Sequence, residues 1–313
     1  MKDLLLGRLT IVALGLAPAL LWAAPKSQEP YSIHPSTQTV QRRQAVLLLE
    51  QSKDPQAGQK LIEALNDKDA MTRSLAAEGL GALKSAAAGS ALAKVLAKDA
   101  SPDVRQAAAV SLRQIQDPGA VDALGRALKD SSANVRLTAL SGLGFYRDAK
   151  SGPLVEAVCT DPSIEVRRTA VYVLGRLEDR AAVPTVQQLI KSDPDAGVRA
   201  GAAQVLGQLR SKESVDVLRP LLKDPVKAIR ASAAHSLLML GEASGLAEAS
   251  ALDKDPDATV RLIAIDALGW SKDPAAEAEL KTLLTTVPAD SQAAIQAALN
   301  RTQQLRKKPS VRS

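Results

Sequence analysis

An arginine returns every 31 or 32 residues along this chain, as Arg42, Arg73, Arg105, Arg136, Arg167, Arg199, Arg230 and Arg261. Each is followed three residues later by an alanine (Ala45, Ala76, Ala108, Ala139, Ala170, Ala202, Ala233, Ala264) and seven residues later by a leucine, from Leu49 to Leu268. In the last seven copies an aspartate stands six residues before the arginine: Asp67, Asp99, Asp130, Asp161, Asp193, Asp224 and Asp255. A four-column register of this period excludes an ordinary globular topology. A unit of this length cannot bury its own apolar face and is stable only when stacked on copies of itself.

Within a unit the apolar residues recur at helical spacing, as Val135, Thr138–Leu140 and Leu143 do, and no strand pattern is present. The pairs Asp161-Pro162, Asp193-Pro194, Asp224-Pro225 and Asp255-Pro256, and Ser101-Pro102, read as N-caps with proline at the first helical position. Gly81, Gly144, Gly175, Gly207 and Gly269, eight residues after the arginine, read as helix terminators. A second, shorter helix precedes each following aspartate, as at Val121–Lys129, Val183–Ile190 and Ser214–Leu222. The expected fold is all-α: a right-handed α-solenoid of eight helix pairs. Aromatic residues make up only 2% of the chain against 46% apolar residues, so the core is Ala, Leu and Val, which lets helix axes approach closely.

The pattern Asp-Pro-x-x-x-Val-Arg-x-x-Ala-x-x-x-Leu-Gly, followed by a Val-Pro-x-Leu-type helix, resembles the HEAT repeats of the phycobilisome-lyase-like class, from about Thr37 to Leu284. The resemblance implies an armadillo-like superhelix that serves as a binding scaffold, with its Arg-bearing helices lining the concave side. It also implies that the Asp and Arg columns bond one another inside the array. The other reading of the Arg column is an outward row of anion-binding groups; the matching of an Asp to nearly every Arg favours the internal ladder. The first copy departs from the pattern, with Ser36 in place of the aspartate and no glycine, as a capping unit would.

The expected division is a signal peptide at 1–23, a flexible arm at 24–36, the solenoid at 37–287, a capping helix at 288–305 and a basic disordered tail at 306–313. Lys2 and Arg8 precede an apolar run to Trp22 and then Ala23-Ala24, the layout of a cleaved export signal; the run is short for an uncleaved anchor. The expected location is therefore periplasmic or extracellular. The net charge of +6 is not a nucleic-acid signal, because five basic residues lie in Arg301–Ser313 and the solenoid body carries 33 basic and 33 acidic residues. The tail offers at most a weak contact to an anionic surface.

No catalytic or metal-ligating constellation assembles. The two histidines, His34 and His235, lack a second ligand at metal spacing, which separates the chain from helical-repeat hydroxylases that bind two irons through several His-Glu pairs. Cys159 lies among Leu154, Val155 and Val158 and reads as a buried thiol. No cofactor, no metal and no enzyme activity is expected. Bilin lyases share the repeat class but act on intracellular proteins, in conflict with an export signal.

With Arg at 0° and about 100° per residue, columns −1, +3, +6, +7 and +10 share the buried side and columns +1, +5, +8 and +9 the outward one. The buried columns repeat; the outward ones do not. They supply the candidate partner-binding residues: Gln106 and Arg168 at +1; Tyr172, Gln204, His235 and Asp266 at +5; Gln114, Phe145, Arg176, Gln208 and Trp270 at +9. Phe145 and Trp270, at helix ends, either line the face or fold back over the loop, and His235 reads as a lining residue. The expected role is a monomeric scaffold for a protein or peptide. The alternatives are a lyase- or chaperone-like factor for a bound chromophore or cofactor, and an envelope structural protein held by its basic tail.

Overall fold

The computed structural model describes residues 38–117 and 119–307; the expected signal peptide, the arm and the end of the basic tail lie outside the described residues. Helices come in pairs: α1 (Thr39–Gln51) with α2 (Ala57–Ala64), α3 (Ala70–Ala82) with α4 (Gly89–Lys98), α5 (Pro102–Ile115) with α6 (Ala120–Ala127), and α7 (Ala133–Tyr146) with α8 (Ser151–Glu156). Then follow α9 (Ile164–Leu177) with α10 (Val183–Ser192), α11 (Ala196–Gln208) with α12 (Val215–Leu218), α13 (Lys227–Met239) with α14 (Leu246–Leu252), α15 (Ala258–Leu268) with α16 (Pro274–Thr286), and a final α17 (Gln292–Lys307). Among the described residues there is no strand, and no helix is long and apolar enough to cross a membrane. The chain is an α-solenoid. Each odd-numbered helix stacks on the odd-numbered helices before and after it, whereas each even-numbered one packs mainly on the odd-numbered helix that follows it and less on the other even-numbered ones. In a curved array the more closely stacked layer is the inner one.

The Ala and Leu columns are buried throughout. Column +4 (Val46, Ala77, Ala109, Leu140, Val171, Ala203, Ala234, Ile265) is buried as well, and so are the glycines of column +8. Rotation had placed +8 on the outward face, and +1 as well, where Ser74, Ala200 and Ala231 are buried too. It fails because each Arg helix is flanked on both sides by its neighbours, so the buried arc is wider than a half-exposed surface helix allows. Four of the five glycines do not terminate helices either: Gly81, Gly144, Gly175 and Gly207 lie inside them, and Gly269 alone stands at a C-cap, that of α15. They permit close approach. A Cβ on Gly207 would stand 2.9 Å from the Ser236 Cα, and one on Gly269 2.8 Å from the Ala298 Cα, both backbone atoms of the next odd-numbered helix.

Helix ends follow other residues. The marker Asp lies two residues before the true N-cap and heads a turn: its Oδ1 accepts the N–H two residues on, as Asp161 does from Ser163 and Asp193 from Asp195. Capping falls to the residue after the proline, as where Asp195 accepts from Val198. Pro162 and its equivalents therefore sit in the turn, where a fixed φ is useful. At the other end, the residue eleven after the Arg takes the left-handed conformation in six units: Lys84, Gln116, Arg147, Glu178, Arg210 and Gly241.

The Arg and Asp columns form the expected ladder, with a definite direction. Arg73 Nε and Nη2 donate to both carboxylate oxygens of Asp99 in the next unit, at 2.7 and 2.8 Å. Arg42–Asp67, Arg105–Asp130, Arg136–Asp161 and Arg167–Asp193 repeat this fork. The remaining nitrogen, Nη1, donates backward to the carbonyl of the unit's own Asp, as from Arg73 to Asp67 and from Arg167 to Asp161. The Arg105 guanidinium holds the Asp130 carboxyl below the usual carboxylate range. Arg261 closes the series on Asp290 and Ser291 at the start of α17.

One rung is missing. Arg199 keeps only its backward bonds, to the carbonyls of Asp193 and Pro194. Arg230 turns to Glu248, and Lys227 takes its place on Asp255. The preceding short helix is a single α turn, followed by a 3-10 segment at Arg219–Lys223 that contains Pro220, which can neither donate an N–H nor sit in an α-helix interior. The apolar core divides within α13: one body runs from Val46 to Leu237, another from Ala234 to Leu299, and a small third joins Ala231, Leu252, Val260 and Ala264. Beyond this seam, Asp253 is 1% exposed, with one carboxylate oxygen unpartnered. Burial, and then Glu279 beside it, push its carboxyl up to about 7.

Two outcomes follow. Arg167→Ala strands the buried Asp193 and should cost about 3 kcal/mol, while Arg199→Ala should cost less than half of that, because it leaves no carboxylate behind. Urea denaturation with hydrogen exchange in the flanking units checks this; equal losses would contradict the fork as the main bond. Asp253 favours its protonated form in the fold, so its contribution is present below the ordinary Asp pKa and is lost as pH rises through about 7. Asp253→Asn should therefore raise the melting temperature at pH 8 and have little effect near pH 4.

Candidate partner-binding face

Columns +5 and +9 are exposed or half-buried along the whole array, so this outward face is real. Its character changes along the chain. At the N-terminal end Gln106 and Gln114 line a groove of about 550 Å³ together with Glu50, Glu78 and Asp103. At the centre Tyr172 is 61% exposed and Phe145 43% exposed. Phe145 does not fold inward; it stands edge-on to Tyr146, with ring centroids 5.6 Å apart. Tyr146 is the anchored member, donating its hydroxyl to the Leu112 carbonyl at 2.7 Å. Burial pushes its phenol up to about 12.

Arg168 and Arg176 prove unequal. Arg168 donates from Nε and Nη2 to both oxygens of Asp195 at 2.9 Å, a second, exposed rung between α9 and α11. Arg43 and Asp69 do the same between α1 and α3. Its donors are thus largely spent within the array. Arg176 is exposed and has no ion-pair partner among the described residues. Gln208 is exposed beside it and Gln204 half-buried.

At the C-terminal end three of the candidate residues converge. His235 of α13 and Asp266 of α15 stand one repeat apart in column +5, and His235 Nε2 lies 2.7 Å from Asp266 Oδ2. The carboxylate requires Nε2 to carry a proton, and Nδ1 is buried without a partner. Arg301 of α17 donates to the other oxygen of Asp266 at 2.7 Å, and its guanidinium lies 4.6 Å from the centre of the Trp270 ring. Burial raises the Asp266 pKa, but the bonds from His235 and Arg301 outweigh it and hold the carboxyl at about 2.

Arg301 escaped the sequence reading, which set it among the basic residues of the C-terminal segment. Arg306 and Lys307, assigned to a disordered tail, belong to the last turn of α17, where cations suit the helix end, and Arg306 pairs with Glu277. The missed signal was Asp266, an acid on the inner layer that needed a cation one helix on. Cys159 is buried, and burial pushes its thiol up to about 12. Among the described residues no group of His, Cys, Asp and Glu is placed to hold a metal ion.

A profile described as HEAT repeats matches residues 33–113, 89–162 and 152–238. The chain belongs to the HEAT-repeat family. A search of curated proteins finds no significant match. Among solved structures, this HEAT array is similar to the X-ray structure of YibA from Escherichia coli, at 23% identity and a TM-score of 0.55, covering 83% of this chain and 95% of that one. The complex of CpcE and CpcF of phycocyanin lyase from a Nostoc species aligns at 20% identity and a TM-score of 0.44, covering 80% and 97%. The first of these likenesses concerns the fold alone.

The His235–Asp266–Arg301 bridge ties three successive inner helices of the HEAT array together. Its contribution is present above the ordinary Asp pKa and is lost as pH falls toward about 2, where Asp266 protonates. Asp266→Asn should therefore lower stability at pH 6 by about 1–3 kcal/mol, and the difference from wild type should vanish near pH 2. Urea titrations of both proteins across this range would show it; a difference that persists at pH 2 would mean that packing, not charge, carries the bridge.

Proposed function

We propose that this HEAT array is an exported scaffold, without chemistry of its own, that holds a protein or peptide partner along the outward face of its inner helices. The observation that carries this is the contrast at the centre of the array. The packing columns repeat and are buried, while Tyr172 and Phe145 stay in water beside the unpaired Arg176. Exposed aromatic and guanidinium groups, clustered on one face, are the side chains that carry most binding energy at protein interfaces. Arg168 serves here as a strut that fixes α9 against α11, and Arg176 as the free donor. Export rests on the basic start and apolar run of Met1–Ala23.

Affinity capture from the envelope fraction of the producing cell, with and without Tyr172→Ala/Arg176→Ala, tests this reading. The double variant should keep the wild-type helicity and melting temperature and lose the partner, since truncation of such residues costs about 2 kcal/mol or more each. Glu63→Ala and Lys150→Ala, exposed positions off this face, should retain it. The recovered bait should itself have lost about 23 residues by intact mass, as signal cleavage requires. Retention of the partner by the double variant would move the binding face elsewhere, and a full-length cytosolic bait would end the export reading.

A further inference from the structure

The left-handed position eleven residues after the repeat arginine carries a long side chain in five units, Lys84, Gln116, Arg147, Glu178 and Arg210. In the seventh it is Gly241, with φ +86° and open space where a Cβ would stand. A cavity of about 850 Å³ occupies that gap, at the C-terminal ends of α13, α15 and α17. The missing side chain makes room for it.

Leu238, Met239, Leu240 and Leu305 contribute apolar lining, together with Trp270. On either side stand the residues that occupy the same column in the neighbouring units, Arg210 and Lys272. Both are exposed and neither has a carboxylate partner among the described residues. Of the two acids at the rim, Glu242 accepts from Arg219, while Asp273 accepts the Ala275 N–H at the start of α16 and keeps its charge. Arg301, the third cation, is held by Asp266. The cavity thus combines an apolar floor with two cations that no carboxylate contacts. The Trp270 indole N–H is buried without an acceptor, so packing and the Arg301 guanidinium, not a hydrogen bond, fix the ring.

We propose that this gap is a binding pocket for a small anion with an apolar body, such as a medium-chain or aromatic carboxylate. The anionic head meets Arg210 and Lys272, and the body lies over the leucines and Trp270. The volume is that of a small-molecule pocket and too small for a folded partner. The site is separate from the central Tyr172–Arg176 patch.

The test uses the full chain with Trp22→Phe, which leaves Trp270 as its one tryptophan, and the fluorescent anion 8-anilinonaphthalene-1-sulfonate, with energy transfer from Trp270 as the local readout. Wild type should bind one probe per chain, decanoate should displace it, and decanol at the same concentration should not. Arg210→Ala/Lys272→Ala, both on the surface, should weaken binding about tenfold, the effect of losing charge-assisted contacts. Gly241→Arg restores the kind of side chain that five other units carry in this conformation, so the fold should persist while the pocket is filled and the probe lost. Tyr172→Ala/Arg176→Ala should bind the probe as wild type does, whatever it does to partner capture. Equal displacement by decanol, undiminished binding in the charge variant, or undiminished binding in Gly241→Arg would each overturn the proposal.

Discussion

Every unit boundary in the N-terminal two thirds of this array is crossed by the guanidinium of a repeat arginine that serves two units at once. Two of its nitrogens clasp the carboxylate of the unit ahead and the third holds the carbonyl of its own unit. Only arginine offers three donors in one rigid plane; a lysine would satisfy one side and leave the other unmet. The aspartate is doubly committed as well, since the oxygen that receives the arginine also shapes the turn before its own helix. A rung therefore fixes the start of one helix relative to the body of the previous one. This is why both columns persist while the residues between them vary.

The seam before α13 shows what happens without the rung. Pro220 shortens the outer helix, Arg199 finds no carboxylate, and the apolar core splits. The last two units and α17 keep one rung, from Arg261, and otherwise rely on other bonds. On the inner face His235, Asp266 and Arg301 span three helices, in the column that is free for partner contact elsewhere. In the outer layer the buried Asp253 shares its surroundings with Glu279. The array thus has two blocks held by different chemistry, one by a periodic ladder that needs only a carboxylate and a guanidinium, the other by particular residues.

Periodicity states which positions are equivalent, and that was enough for the helix pairs and the exposed columns +5 and +9; the ladder was what the family resemblance implied. It is silent about what flanks a helix. Column +8 was placed outward because a rotation of about 80° from the arginine looks exposed when neighbours are considered on one side only. The marker Asp was read as a cap because Asp-Pro is compatible with either role; only the accepted N–H two residues on separates them. Arg168 looked like a free anchor because its partner, Asp195, is not in a marker column. Gly241 was legible in principle, as the one glycine in a column of long side chains, but that column was not recognised as structural until its conformation was seen.

The forward direction of the fork governs how such a chain can change length. Removing the 31 residues from Asp130 to Thr160 would bring Asp161 to 25 positions after Arg105, the separation that Asp130 has now. The surviving arginine would meet an equivalent carboxylate, and no charge would be orphaned. Duplicating the same segment obeys the same rule. A cut out of phase with the repeat leaves an arginine facing the wrong turn. Beyond Arg261 the rule stops, since its partners Asp290 and Ser291 belong to the 3-10 turn that leads into α17 and not to a further copy. Insertions and deletions are therefore cheap in whole units upstream of the seam and costly within the last block, so length variation in relatives should concentrate in the N-terminal two thirds.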